Sequence, residues 1–287
     1  MNRPRTARFA LAVTASIAMI AGASCAVWQP PEMAKPLAEP LSYRAPYAMA
    51  HPTMTGLLES GAWAAAPWTE DFADIEGARK PVPAYRTRAK MLWDEKFLYI
   101  GAELTEPHVW STLKKHDEIV FHDNDFEVFV DPDGDTREYY EIEVNALGTI
   151  FDLYLPLPYR AEGKADHGWT ATGMKCAIAL DGTLNDSTDL DRGWRVEMAL
   201  PWTMFTPMAA PGGTHQHCAR PPIAGDEWRI NFSRVQWLLE KQGSGYSKVP
   251  GRAEDNWVWT AQWIVDMHLP QWWGFVKFDP ETTKDQP

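Results

Sequence analysis

The stretch HDNDFEVFVDPDGDTREYYEIEVNALGTI, from His122 to Ile150, decides the fold. Phe126-Glu127-Val128-Phe129-Val130 alternates about a β-branched and aromatic run, and Tyr140-Glu141-Ile142-Glu143-Val144-Asn145 repeats the alternation, so each reads as a strand. Between them Asp131-Pro132-Asp133-Gly134-Asp135 supplies turn residues: Pro to fix φ, Gly to take a positive φ, Asp to bond its own backbone. The pair is expected to form a hairpin with a tight turn. Period 2 puts Phe126, Val128 and Val130 on one face with Ile142 and Val144. The other face receives Glu127, Phe129 and Asp131 from the first strand and Glu141, Glu143 and Asn145 from the second. A sheet face with that many carboxylates is expected to meet water or a ligand.

Outward from this hairpin the chain continues in short strands. Arg86 to Trp93 and Phe97 to Leu104 read as a second hairpin about Asp94-Glu95-Lys96, preceded by a short helical turn near Gly56 to Trp63 and an edge strand at Ala66 to Phe72. Phe151 to Leu155 is a strand stopped by Pro156 and Pro158; Trp169 to Leu180 reads as a strand pair. Gly193 to Leu200, Glu227 to Trp237, Asn256 to Trp259 and Trp273 to Phe278 complete the set, with a long irregular insert from Met204 to Asp226. Few helices, no βαβ alternation and turn signals about every ten residues predict an all-β, antiparallel β-sandwich. The expected division is an export signal over residues 1–25, a Pro-rich tether over 26–46, the sandwich over 47–280 and a polar tail over 281–287.

Composition bounds the function. Fifteen Trp among 287 residues exceed what an ordinary core requires and suggest sugar-facing surfaces, with roughly two in three expected inside. A formal charge of −12 with no basic stripe speaks against nucleic acid and other polyanions. Arg3, Arg5 and Arg8 followed by the apolar run from Phe9 read as an export signal, too short for a stable membrane span. Two cleavage readings fit: an ordinary signal peptidase site after Ala23, or a lipoprotein box at Gly22-Ala23-Ser24-Cys25 that lipidates Cys25 and leaves Cys176 and Cys218 as an even pair. That pair is either a disulfide or two free thiols. The protein is therefore expected to be exported, to the periplasm, to the cell envelope or as a secreted protein, touching a membrane only if Cys25 carries a lipid.

Five motifs then stand in order: Leu92 to Ile100 (LWDEKFLYI), Asn124 to Asp131 (NDFEVFVD), Gly193 to Glu197 (GWRVE), Trp228 to Phe232 (WRINF) and Trp273-Gly274. Together, over about Gly56 to Phe278, they resemble the family 9 carbohydrate-binding modules, and more closely the stand-alone family 9-like proteins of bacteria. The resemblance implies a jelly-roll type sandwich of the same broad group as DOMON domains, saccharide binding without catalysis, structural calcium in some members and frequent attachment to xylanases. In xylanase-attached modules two tryptophans sandwich a terminal sugar while a glutamate and an arginine bond its hydroxyls. Here the glutamate falls on Glu127 and the arginine on Glu143; the first tryptophan falls on about Phe121 and the second near Met267 and His268.

The candidate ligand-binding set is accordingly Phe121, Glu127, Glu143, Asn145 and His268, with Arg234 and Trp237, and Trp257, Trp259 and Trp263 beside Asn256, as replacements able to enter the same cleft. Carboxylates accept from sugar hydroxyls, amides both donate and accept, and indole faces stack on pyranose C–H surfaces. Asp131, Asp133 and Asp135 resemble a calcium loop, with a plain hairpin turn as the alternative. His215-Gln216-His217-Cys218 offers imidazole and thiolate ligands but no fourth spaced one. The expected function is an exported saccharide-binding protein of glycan catabolism that requires no cofactor. One alternative is a glycan-active enzyme using Glu127 and Glu143 on O-glycosyl bonds, although no carboxylate stands in an obviously apolar segment. The other is a haem-binding DOMON-like electron carrier, against which Met267 and His268, adjacent on a strand, point to opposite faces.

Overall fold

Alternating β-branched and aromatic residues do build strands throughout. The structure, a computed structural model, describes residues 38–59, 61–208, 220–223 and 226–280. Among these the strands are β1 (Ser42–Ala45), β2 (Ala73–Asp74), β3 (Thr87–Trp93), β4 (Phe97–Thr105), β5 (Asp125–Asp131), β6 (Tyr139–Asn145) and β7 (Ile150–Leu155). They continue with β8 (Lys175–Asp181), β9 (Gly193–Pro201), β10 (Glu227–Gln236), β11 (Leu239–Gln242), β12 (Gly245–Lys248), β13 (Asp255–Val258) and β14 (Gly274–Phe278). The only helical elements among the described residues are 3-10 turns.

The strands form a two-layer sandwich. The larger sheet runs β1-β14-β10-β5-β6-β7, with β13 and β2 attached beside β10; the smaller runs β3-β4-β9-β8. Every pairing is antiparallel except that of β1 with β14. The inward faces carry Phe126, Val128, Val130, Ile142, Val144, Ile230 and Phe232 against Met91, Leu98, Ile100, Val196 and Met198, all fully buried. Phe126 and Phe232 stack at 5.6 Å between centroids. Each such side chain contributes about 1.5–3 kcal/mol by leaving water, so this interior carries most of the fold's stability.

The outer faces differ, and that difference positions the site. Residues 48–59 and 61–68 cover the smaller sheet, where Leu58, Trp63 and Ala66 pack on Leu92, Tyr99 and Ala199. Glu197 pins this cover by accepting from the backbone N–H of Thr55 and Gly56 at 2.8 Å and from Trp63 Nε1 at 2.7 Å. The outer face of the larger sheet is only partly roofed, and a cleft opens there.

Several expectations need correction. Residues 42–45, read as the end of the tether, form β1 and pair in register with β14, so the folded domain begins before residue 47. Trp169 to Leu180 holds one strand rather than two, because the chain turns through Ala171–Met174 before β8 starts. Ala66 to Phe72 is not a strand; only Ala73 and Asp74 pair, with β13. The central hairpin forms as expected, with Glu127 opposite Glu143, but its connection is long, spanning Pro132 to Glu138 with positive φ at Gly134, Thr136 and Glu138. The β11–β12 hairpin gave no period-2 signal because its residues are mostly polar and none is buried. The 1–25 signal, most of the tether, the tail over 281–287, Cys25 and His215 to Cys218 lie outside the described residues. Cys176 is half-buried, and burial pushes its thiol up to about 12.

Candidate ligand-binding cleft

Because the outward face of the larger sheet follows period 2, Glu127 and Phe129 from β5, Glu141 and Glu143 from β6, Phe151 and Leu153 from β7, and Val235 from β10 lie side by side. They floor a cleft of about 570 Å³. One wall comes from Asp117, Ile119 and Phe121, ahead of β5; the other from Tyr159, His167, Glu254, Asn256 and the run Val265 to His268. Among the described residues its lining includes six carboxylates and neither lysine nor arginine. The rim is apolar and open to solvent: Ile119 and Tyr159 are each 45% exposed and Val265 63%.

The acidic floor is buried rather than washed by water, since Glu127, Glu141 and Glu143 are at most 6% exposed. Burial pushes Glu127 up to about 7, with the Ser233 hydroxyl opposing and Glu254 adding to the rise. Glu141 is driven up to about 8 by burial and by Glu127. Burial, then Glu127, Glu141 and Asp125, carry Glu143 well above the usual range, although its Oε2 accepts the Phe121 N–H at 2.8 Å. Beneath them Asp125 is fully buried and also shifted well upward, by burial first and then by Glu127. No carboxylate stands in an obviously apolar segment of the sequence, yet burial in the fold raises these. The strands read as amphipathic, and what buries the polar side is the roof from distant loops.

His268 closes one end. It shares a hydrogen bond with the Tyr139 hydroxyl at 3.1 Å, meets the ring of Tyr159 edge-on at 4.5 Å and stands 3.8 Å from Glu141 through Nε2. Burial lowers its pKa to about 4, so it faces the floor as a neutral imidazole.

Of the candidates read from sequence, Phe121, Glu127, Glu143, Asn256 and His268 meet in this cleft, and Met267 lines it too. Others do not. Asn145 is fully buried and occupied locally: its Nδ2 donates to Leu113 O and Asp123 Oδ2, and its Oδ1 accepts from the N–H of Leu147 and Thr149. Arg234 follows Ile230 and Phe232 onto the interior face. There it pairs with Glu106 at 2.8 Å and donates to Thr87, Thr105 and Gln236. Trp257 packs beside that guanidinium and Trp259 against Phe232, both in the core. Trp263 turns away to Arg79, whose Nη1 donates to its carbonyl. Trp237 stands behind the wall: its Nε1 donates to Phe121 O at 2.9 Å, and Lys248 Nζ covers its ring at 3.5 Å. No described tryptophan lines the cleft, and eleven of the fourteen described ones are buried, so the tryptophan surplus serves packing. Period 2 from Glu127 and Glu143 also marks Glu141 and Asp125, whereas no sequence signal points to Tyr159, His167 or Val265.

The Asp131, Asp133 and Asp135 carboxylates converge within 4.8 Å, as a cation loop requires. They also hold the turn itself: Asp131 accepts from the N–H of Gly134 and Thr136, and Asp135 from that of Arg137.

A two-sheet sandwich with a cleft on one outer face is a ligand-binding scaffold, and comparison with known proteins gives its family. The model of the "Carbohydrate family 9 binding domain-like" family matches residues 56–215, more than half of the chain, and the protein belongs to that family. Exoglucanase XynX of Acetivibrio thermocellus and endo-1,4-beta-xylanase A of Thermoanaerobacterium saccharolyticum are each 31% identical over 118 residues. These residues are 41% of this chain but only 9% and 8% of those enzymes, so the chain spans a small part of the curated relatives it matches. A candidate carbohydrate-binding protein of Bacteroides uniformis shares the fold at a TM-score of 0.56 and 15% identity, over 83% of this chain and 99% of that one.

Proposed function

We propose that this protein is an exported saccharide-binding module whose ligand lies in the cleft on the larger sheet. The observation that supports it most is the cleft itself, with hydrogen-bonding carboxylates along the floor and Phe121, Tyr159 and His268 along the walls. Ring edges and faces of that kind suit pyranose C–H surfaces, and carboxylates suit hydroxyl donors. Glu127 is the central acceptor, flanked by Glu141 and Glu143, with Asn256 at the wall. The N-terminal signal and tether, with or without a lipid on Cys25, would deliver the module to the periplasm or cell envelope.

Raised carboxyl groups such as Glu127 also meet one requirement of a glycosidic acid. The floor nevertheless presents them all from one side, whereas hydrolysis uses a pair flanking the scissile bond. The test is calorimetry of xylose, glucose and their short oligomers on wild type and Glu127→Ala, followed by chromatography of long incubations. Loss of one charged hydrogen bond weakens binding by about 1.5–3 kcal/mol, roughly ten- to 150-fold. Equal affinity in Glu127→Ala would move the site elsewhere, and product formed by wild type would replace binding with catalysis.

A further inference from the structure

The carboxylates in the floor of the cleft form an oxygen-only cluster. Asp125, two residues before Glu127 on the same face of β5, is fully buried, and the side chains of Asp125, Glu127 and Glu143 each bring a carboxylate oxygen to within 4.8 Å of the other two. Hydrogen bonding accounts for only part of the group. Asp125 Oδ1 accepts the Val235 N–H at 3.1 Å, while its Oδ2, equally buried, has no partner. Across β10 the Ser233 side chain stands opposite Glu127 and adds a hydroxyl oxygen. A cation whose oxygen contacts are about 2.3–2.6 Å holds any two ligands no more than about 5 Å apart, so one ion can touch all three carboxylates.

We propose that Asp125, Glu127 and Glu143 hold a divalent, oxygen-preferring cation of the calcium class at the base of this cleft. Three carboxylates giving one oxygen each leave at least three of the six to eight positions such an ion takes, and Glu127 and Glu143, which line the cleft, would hold the ion at its edge. Zinc and copper suit the set poorly, because no thiolate or imidazole belongs to it. The ion would compensate a buried like-charge cluster that no lysine or arginine in the lining offsets. Its open positions would take a pair of neighbouring hydroxyls from a sugar; this last step rests on the saccharide reading above, the ion site does not.

Calcium chloride alone is titrated into the purified full chain, by calorimetry and by thermal unfolding, for wild type, Asp125→Asn, Glu143→Gln and the turn control Asp133→Asn. The expected result is a wild-type midpoint raised by roughly 5–10 °C at a hundredfold excess over the dissociation constant. Calcium affinity should fall at least tenfold in Asp125→Asn and Glu143→Gln and hold in Asp133→Asn. Both floor variants should fold, since each removes a crowded charge, and their calcium-free midpoints should equal or exceed that of wild type. Calcium uptake unchanged in both floor variants, uptake lost in Asp133→Asn alone, or no uptake by wild type at millimolar calcium would each overturn the proposal. The saccharide titration is then repeated in calcium and in chelator. Weaker binding in chelator supports the ion's contact with the sugar. Equal binding without calcium uptake overturns the ion and leaves the saccharide reading intact; calcium uptake with no saccharide bound supports the ion and removes that reading.

Discussion

Raising the pH from 6.5 to 8 in the presence of chelator should destabilise this protein. In the folded state Glu127 and Glu141 keep their protons up to about 7 and about 8, against a usual 4.5, and Glu143 and Asp125 are shifted upward as well. Between 4.5 and those values the folded chain binds more protons than the unfolded chain, so stability falls as pH rises. His268 acts in the opposite sense, because its pKa drops from 6.5 to about 4. Over that lower range the unfolded chain binds the extra proton and stability rises with pH. The two effects oppose one another below 6.5 and separate above it. From pH 6.5 to 8 Glu141 remains largely protonated in the folded state, and one group contributes about 1.4 kcal/mol per pH unit, so it supplies up to about 2 kcal/mol over the window. At about 2–4 °C per kcal/mol for a domain of this size, the midpoint should drop by roughly 4–8 °C. Calorimetric unfolding in chelator at half-unit pH steps reads the effect, and Glu141→Gln should flatten the slope. A wild-type midpoint that is flat or rises from 6.5 to 8 would refute the reading of the floor as a buried, proton-holding cluster.

Three further outcomes are expected, two from the packing and one from the N-terminal sequence. Arg234→Met should lower stability by about 3–5 kcal/mol in urea unfolding, because it strands Glu106 as a buried charge; a loss below 1 kcal/mol would show that water reaches the pair. Trp237→Phe removes the donor behind Phe121 and should weaken saccharide binding several-fold while near-UV circular dichroism shows a native fold, whereas unchanged affinity would detach this wall from the ligand. Mass spectrometry of the mature N-terminus should find a diacylglyceryl mass on Cys25, and an unmodified start after Ala23 would remove the lipid tether.

The fold was legible where period 2 and turn chemistry agreed. Alternation in Phe126 to Val130 and in Tyr140 to Asn145 identified both strands, their faces and the hairpin between them, because burial of one side constrains register strongly. The same rule also bore on residues that were grouped with the site. Arg234 shares parity with Ile230 and Phe232, and Trp257 is paired with it across the sheet, so both were bound for the interior. Asn145 lies on the outer face of its strand, but it ends that strand, and alternation does not reveal that the following turn takes its Oδ1 while Leu113 and Asp123 take its Nδ2.

The walls were illegible for a different reason. Tyr159, His167 and Val265 to His268 come from irregular segments, and no local period encodes where such a segment returns across a sheet. That missing roof also misled the reading of the floor. Alternating Glu127, Glu141 and Glu143 look solvated until distant loops bury them; once buried, like charges this close must hold protons, a ligand's hydroxyl hydrogens or a cation. The sequence therefore locates the chemistry, and the loops decide its strength: any change that lifts the roof, even far from Glu127, should return these carboxylates toward their ordinary acidity and weaken whatever the cleft binds.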